Sequence, residues 1–297
     1  MAVGPMFPSP ALEGEQLDEM LKDFDGMAAV VRFADGAVEA EFAGTGLPES
    51  YGPMESAATT IGELPATTGL AFAMAFPDNW VETYVESMAT MSGEEMPIEE
   101  MWAEGERATG LELPEDADAL LGDSLSVAVD SSMEAEAFMA PDPSGVPAGI
   151  RITGDPAEIM PVLDKIKKSM GRDADLMVVE EGDGAVAIGL GQEYVAELAG
   201  QGTLGEDPTF QDVVPEPDKA GGVFFVSFDA GDSWIERMIA DATAEFMGAP
   251  AYGPDDSVDT GDTEAKIWEN MEALKAFGVS SWIDGEVQRG LLRLTTD

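Results

Sequence analysis

Apolar and polar residues alternate on either side of three Asp-Gly pairs, and each pair follows a stretch with helical spacing. The pairs are Asp35-Gly36, Asp183-Gly184 and Asp284-Gly285, and the helical stretches are Leu17–Phe24, Leu163–Met170 and Met271–Phe277. Alternation is the period of a half-buried strand, and Asp-Gly tolerates the positive φ of a type I′ turn. The pattern predicts three helix–β-hairpin units in matching structural settings.

A second element also occurs twice, as GLAFAMAFPDNWVETYV (69–85) and GVFFVSFDAGDSWIERM (222–238). Each has an apolar strand, a turn with an acidic residue where a helix N-cap is expected (Asp78, Asp232), and a helix with Trp in its first turn. Asp35 and Asp183 lie 148 residues apart, and Phe76 and Phe228 lie 152 apart. The sequence therefore predicts a diverged internal repeat of about that length.

These units predict an α+β fold: a mostly antiparallel sheet built from helix–β-hairpin and strand–helix units, with helices covering one face. A doubly wound parallel sheet is the alternative. Residues 1–60 are predicted to end a preceding repeat with a helix, a hairpin and a linker, residues 61–214 to form repeat unit one, and residues 215–297 a partial unit two. The units form one continuous domain or two tightly packed ones. Because the chain begins inside a repeat, we expect it to be part of a longer polypeptide.

Charge narrows the choice of partners. The chain has 60 acidic and 14 basic residues, which gives a formal net charge of −46. Its densest basic patch is Lys165, Lys167 and Lys168, too small to bind a phosphate backbone by counterion release, so we expect no nucleic-acid partner. Self-repulsion of this size calls for counter-cations from salt or divalent ions. This favours a cell surface or the cytoplasm of a halophile.

The chain contains neither cysteine nor histidine. Their absence excludes disulfides, thiolate nucleophiles, Ser-His-Asp triads and His-ligated zinc within this stretch. No run of about 18 apolar residues is present, so no transmembrane segment is predicted, and any export signal or anchor is expected outside the chain.

Several phrases resemble a known family. They are LPATTGLAFAM (64–74), LLGDSLSVAV (120–129), GIRITGDPAEIMPVLDKI (149–166), GQEYVAELAG (191–200), LGEDPTFQDVVP (204–215) and GLLRLTTD (290–297). Together they are similar to domain of unknown function 3352, found in actinobacterial envelope proteins, over roughly residues 60–297. The resemblance implies an extracytoplasmic location and a fold, but it carries no catalytic residue. The chain departs from the family in its acidity and in lacking an N-terminal anchor.

One motif and one acidic segment have the residues for chemistry. The motif Gly122-Asp123-Ser124-Leu125 has the sequence of the nucleophile block of a class of esterases. No histidine is present to activate Ser124. A turn before a strand is therefore the better interpretation. Asp255, Asp256, Asp259 and Asp262 supply hard oxygen ligands for calcium. Their spacing departs from the EF-hand loop, so we expect low-affinity binding at best, or simply an acidic loop.

The leading hypothesis is a non-enzymatic, extracytoplasmic protein without a cofactor that acts through surface contacts with an unknown protein or envelope partner. The alternatives are a carrier that holds an apolar ligand between sheet and helices, and a carboxylate-dependent hydrolase. A carrier should have a continuous apolar cavity of about 300 Å³ or more.

Overall fold

The computed structural model describes residues 25–34, 36–46, 58–92, 98–133, 137, 142–228 and 273–296. In these residues, ten strands form one sheet in the order β1-β2-β10-β9-β8-β3-β4-β5-β7-β6, and every neighbouring pair is antiparallel. The strands are β1 Gly26–Ala34, β2 Ala37–Thr45, β3 Thr68–Ala75, β4 Ser124–Asp130, β5 Ala148–Thr153, β6 Val178–Gly182, β7 Ala185–Gly189, β8 Gly222–Ser227, β9 Leu274–Asp284 and β10 Val287–Thr296. The predicted antiparallel α+β fold is confirmed, and the parallel alternative is wrong.

Six α-helices connect or cover the described strands. They are α1 Trp80–Ser92, α2 Ile98–Thr109, α3 Glu115–Leu121, α4 Pro156–Met170, α5 Gln192–Ala199 and α6 Pro208–Val213. Helices α4 and α6 begin where an Asp accepts a hydrogen bond from a backbone N–H of the first turn and Pro takes the first helical position. Asp78 does not cap α1, because the N–H of Val81 donates instead to the Asp118 carboxylate of α3 (3.1 Å).

The register gives the sheet one fully apolar row. Side chains directly opposite each other on antiparallel strands share a face. One such row crosses all ten strands, on the side that we call the apolar face: Val31, Ala40, Leu292, Val279, Phe224, Phe72, Val127, Ile150, Ile188 and Val179. The other side, which we call the core face, carries small and polar residues as well as apolar ones.

The sequence predicted helices on one face of the sheet, but the structure has helices on both faces. On the core face, α5 and α6 bury Leu198 and Phe210 over alanines of β3 and β4, and the Phe210 ring meets Phe225 of β8 edge-on at 5.1 Å. On the apolar face, α4 buries Ile159 and Leu163 against Val186 and Ile152. The short side chains of the core face let helices approach the backbone closely, whereas the large apolar row of the other face needs a cover of its own.

The three predicted hairpins are present, but the helix predicted before the third is wrong, because Leu274–Phe277 belong to strand β9. The helix predicted at Leu17–Phe24 lies outside the described residues. The settings of the three hairpins also differ. Hairpins β1–β2 and β6–β7 occupy the two edges of the sheet, each with its first strand outermost, whereas β9–β10 lies inside the sheet. The third hairpin therefore does not match the other two. The type I′ turn is also wrong, because Gly184 and Gly285 adopt positive φ (69° and 67°) while Asp183 and Asp284 do not. One glycine supplies all the positive φ that each of these turns requires.

Candidate functional site

Ser124 is part of the core rather than of a reactive site. It opens β4, is only 1% exposed, and its hydroxyl accepts a hydrogen bond from the N–H of Thr60 (3.5 Å). The neighbouring hydroxyls of Thr60 and Thr153 hydrogen-bond each other at 2.8 Å. Burial and this structural contact leave Ser124 no access to a substrate, which agrees with its interpretation as a residue of a turn and strand.

A cleft of about 740 Å³ opens at the end of β4 beside the first turn of α5. Asp130 is buried there and accepts hydrogen bonds from the Thr67 hydroxyl and from the Ser132 N–H, so it fixes the turn that leaves β4. The Tyr194 hydroxyl is buried, and burial raises its pKa; the Thr68 hydroxyl opposes this rise and repulsion from Asp130 adds to it. The cleft thus brings a carboxylate close to a phenol, and polar and apolar groups contribute about equally to its lining.

A second cleft, of about 460 Å³, lies at the opposite ends of the same strands. Its walls are acidic: Asp78, Glu115, Asp118, Asp123, Asp155 and Glu158. Two of these carboxylates cap helices, because Asp118 accepts the Val81 N–H of α1 and Asp155 accepts the Ala157 N–H of α4. Helix capping explains acids at these two positions without a reaction.

Arg151 is a cation buried in the middle of the core face. It is 1% exposed, and its guanidinium donates to the carbonyls of Leu198 (3.1 Å) and Gly200 at the end of α5 and to the Glu63 carboxylate (2.8 Å). Burial lowers the pKa of Arg151, and the Glu63 charge opposes that change. The side chain ties β5, the end of α5 and the turn at Glu63 together, which is a structural role.

A second ion pair joins two helices. The Lys165 ammonium of α4 donates to Asp116 of α3 (2.8 Å) and to Glu112 (2.9 Å). Burial acts to raise the pKa of Asp116, but hydrogen bonds from Lys165 and from the Glu112 N–H outweigh it, so the pKa is lowered. The predicted basic patch therefore lies on α4, and one of its three lysines is engaged in holding α3.

The residues of the predicted calcium segment, Asp255, Asp256, Asp259 and Asp262, lie outside the described residues, as does the predicted helix cap Asp232. Within the described ranges, no group of three or more acidic side chains is placed to hold a metal ion. The helices of those same ranges include none that is long and apolar enough to cross a membrane.

The most exposed apolar element is β1, at one edge of the sheet. Four of its nine residues are large, apolar and exposed: Met27 (68%), Val30 (52%), Val31 (64%) and Phe33 (81%). Its one charged residue, Arg32, donates to Glu39 and to Glu41 (2.8 Å) of β2. The charge of Arg32 is therefore paired with β2 and not with the outer edge of β1. Among the described strands, β1 pairs only with β2. Its other backbone edge is therefore unpaired within the described part of the chain.

Sequence reasoning missed both Arg151 and the edge position of β1. A lone cation inside the apolar alternation of AGIRITG signals Arg151, since a charge at a core position needs buried partners. The edge position of β1 has no such signal, because natural edge strands normally carry protecting charges or prolines and β1 has one charged residue, Arg32.

Comparison with known proteins adds no assignment: no family model, no curated protein and no solved structure matches this chain.

Proposed function

We propose that this protein is a non-enzymatic, extracytoplasmic module that binds an extended segment of a partner protein as an added strand along β1. The observation that carries the proposal is the nine-residue edge of β1, which no other described strand than β2 pairs with, and its exposed Met27, Val30, Val31 and Phe33. The extracytoplasmic location rests on the family resemblance and on the charge of −46.

An unpaired edge strand can bind another chain for simple reasons. Every second residue of β1 directs its N–H and C=O away from β2, and an extended peptide satisfies these groups without distorting either chain. Side chains of the added strand would extend the two faces of the sheet, where Val30 and Val31 offer apolar neighbours on opposite sides. Main-chain hydrogen bonds supply affinity, and the apolar contacts supply selectivity.

The opposite edge of the same sheet is protected. Strand β6 has five residues, two of them Glu180 and Glu181, and the carbonyl of Ala199 lies over Gly182, 1.9 Å from where a Cβ would stand. A short, charged and covered edge is the usual defence against unwanted pairing. The contrast between the two edges supports β1 as the specific contact strand.

The surroundings of β1 define the partner's chemistry. The apolar side chains call for a segment that alternates apolar residues, and a chain with 60 acidic residues favours basic residues at the ends of that segment.

We infer further that the sheet consists of two equivalent five-stranded halves. The central pair of the sheet is Phe72 with Phe224, 152 residues later, and the pair Ala73–Ser126 has the counterpart Phe225–Gly278, again with 152 added to both numbers. This offset equals the one between the repeated strand ends in the sequence, which supports a twofold relation about Phe72 and Phe224.

The outer strands follow the same relation. Arg151 lies opposite Ser126 and Ala187, and Arg293 lies opposite Gly278 and Glu39, so the two arginines occupy equivalent positions. Ala187 and Glu39 are 148 residues apart, the offset of the two edge hairpins. In this arrangement residues 1–60 complete the partial unit of residues 215–297, and β9–β10 is the counterpart of β4–β5.

Strand addition is tested with a synthetic peptide of alternating valine and lysine as the added strand. We expect the unchanged protein to bind it and Val31→Lys to lose most of that binding, because a charge on an edge strand opposes pairing. The exposed position leaves stability nearly unchanged. Binding is measured by fluorescence anisotropy of the labelled peptide.

The matched control is Leu176→Lys, which makes the same change at a 53%-exposed residue near the protected edge. It keeps the net charge equal to that of Val31→Lys, so non-specific attraction to the acidic surface affects both variants alike. Equal binding by the two variants, or no binding by the unchanged protein, would refute strand addition at β1.

A further inference from the structure

A third cleft, of about 520 Å³, lies where the chain approaches the two central strands of the sheet. One wall comes from residues 59–63, just ahead of β3, and the other from residues 205–218, in the stretch that leads to β8. The backbones of the two walls touch, because a Cβ added to Gly62 would stand 3.4 Å from the Cα of Gly205. The N–H of Thr59 also donates to the carbonyl of Ala220 (2.8 Å), so main-chain contacts fix the walls.

Thr59 lines this cleft with a buried hydroxyl that has no partner. The residue is 7% exposed, and its Oγ1 makes no hydrogen bond within the described part of the chain. By contrast, the hydroxyl of the next residue, Thr60, hydrogen-bonds that of Thr153 at 2.8 Å. A buried hydroxyl without a hydrogen bond costs free energy, and native proteins rarely retain one. The Thr59 hydroxyl is therefore available to a polar group that enters the cleft.

Glu63 and Asp218 supply one carboxylate to each wall of the third cleft. Oε2 of Glu63 accepts a hydrogen bond from Arg151 (2.8 Å), which fixes this carboxylate and still leaves 42% of the Glu63 side chain exposed. Asp218 is exposed, and none of the described residues that line the cleft is cationic. Two carboxylates in the lining of a cleft, on a chain with a net charge of −46, attract a cation.

The rest of the lining combines an acceptor with apolar carbon. The Gln211 amide N–H donates to the carbonyl of Gly205 (2.7 Å), so the amide oxygen of Gln211 is left as an acceptor. Pro215 and Pro217 present ring carbons and have no N–H. An ammonium group has three donors and no acceptor, which matches the polar groups of the cleft. A methylene chain matches the proline rings.

We propose that the third cleft binds a small aliphatic diamine. One ammonium group donates to Glu63 and Thr59, the other donates to Asp218, and the methylene chain lies against the prolines. A divalent metal ion fits less well, because the described residues place no three acidic side chains together to hold one. The proposal does not rest on strand addition, since the third cleft adjoins the central strands and includes no residue of β1.

Isothermal titration calorimetry of the full chain with 1,5-diaminopentane tests the proposal. Sodium chloride at about 0.3 M screens non-specific attraction to the acidic surface. We expect the unchanged protein to bind, and Thr59→Val and Asp218→Asn each to weaken binding about tenfold, because each removes a hydrogen bond to a charged group. Glu100→Gln, at an exposed position on α2, makes the same change of charge as Asp218→Asn and should bind like the unchanged protein. Glu63 is left intact because it also holds Arg151.

The Thr59→Val variant separates a ligand-binding role from a structural one. Without the diamine, valine removes an unsatisfied buried hydroxyl, so the variant should melt at the same temperature as the unchanged protein or higher, although it binds more weakly. A lower melting temperature would show that the hydroxyl supports the fold and would overturn the proposal.

Four binding results would also overturn it. They are no binding by the unchanged protein, unchanged binding by Thr59→Val, equal weakening by Glu100→Gln and Asp218→Asn, and equal affinity for pentylamine. Equal weakening would show diffuse attraction to the acidic surface. Equal affinity for pentylamine would show that only one ammonium group is recognised.

Discussion

At the scale of single residues, Arg151 and Arg293, which the proposed repeat relates to each other, differ in what surrounds them. The guanidinium of Arg151 is enclosed by two carbonyls and by Glu63, whereas the Arg293 side chain is 24% exposed, and its Nε lies 3.8 Å from Glu39. The two arginines thus lie at different depths in the molecule. Their energetic contributions should differ accordingly.

We expect Arg151→Ala to lower the free energy of unfolding by about 3–5 kcal/mol, because it leaves buried carbonyl groups without a hydrogen-bond donor and creates a cavity. Arg293→Ala, the matched control, should cost about 1 kcal/mol or less, as solvent replaces a partly exposed ion pair. Urea unfolding of both variants measures the difference. Similar losses would contradict a special role for Arg151.

The Asp116–Lys165 pair predicts a pH dependence. Because the folded protein lowers the pKa of Asp116, the pair's stabilisation is present above the unfolded value of about 3.9 and is lost as pH falls through the lower folded value. Lys165→Met should therefore lower the melting temperature at pH 7 and converge with the unchanged protein in strong acid. Lys168→Met, at an exposed position on the same helix, is the control. A Lys165→Met deficit that persisted at pH 2 would contradict the pairing.

At the scale of elements, alternation and Asp-Gly turns were enough to predict the hairpins and strands β3 and β8. These elements follow from the period of side chains along a strand, which is local. The placing of β9–β10 inside the sheet was not predictable in this way, because a hairpin's own residues do not specify which neighbours its two outer edges meet. The presence of helices on both faces was also not predicted. The small alanine side chains of β3 do not form a strongly apolar pattern, although they allow helices to pack closely on that face.

The close contact between the end of α5 and β6 predicts that a substitution at Gly182 destabilises the fold. A Cβ on Gly182 would stand 1.9 Å from the Ala199 carbonyl oxygen, so the helix end or the strand must move. Gly182→Ala should lower the free energy of unfolding by about 1–3 kcal/mol or more, as overpacking does. Gly145→Ala, where a Cβ meets nothing within 4 Å, should change it little. Thermal unfolding of the two variants tests the contact, and equal stability would disprove it.

At the scale of the whole molecule, charge is the dominant unusual property. A net charge of −46 makes neighbouring carboxylates repel over distances comparable with the Debye length, which falls from about 30 Å at 0.01 M to about 3 Å at 1 M salt. We expect the melting temperature to rise gradually with sodium chloride, with only a modest further gain from millimolar calcium. A flat response to salt would contradict screening, and a sharp rise at micromolar calcium would indicate a specific site, for which Asp255–Asp262 is the candidate.

The proposed function rests on the edge of β1 that no other described strand pairs with. Its exposed apolar residues, its unpaired backbone and the protected edge at β6 all favour strand addition on one side of the molecule. A partner strand would lengthen a sheet that already has ten strands.

Amide hydrogen exchange, measured with and without the valine–lysine peptide, tests strand addition most directly. If the peptide pairs with β1, alternate amides of Gly26–Ala34 gain protection, because only every second N–H faces the added strand, while the amides of Val178–Gly182 in β6 exchange as before. Unchanged exchange along β1 in the presence of bound peptide, or equal protection of both edges, would contradict the account.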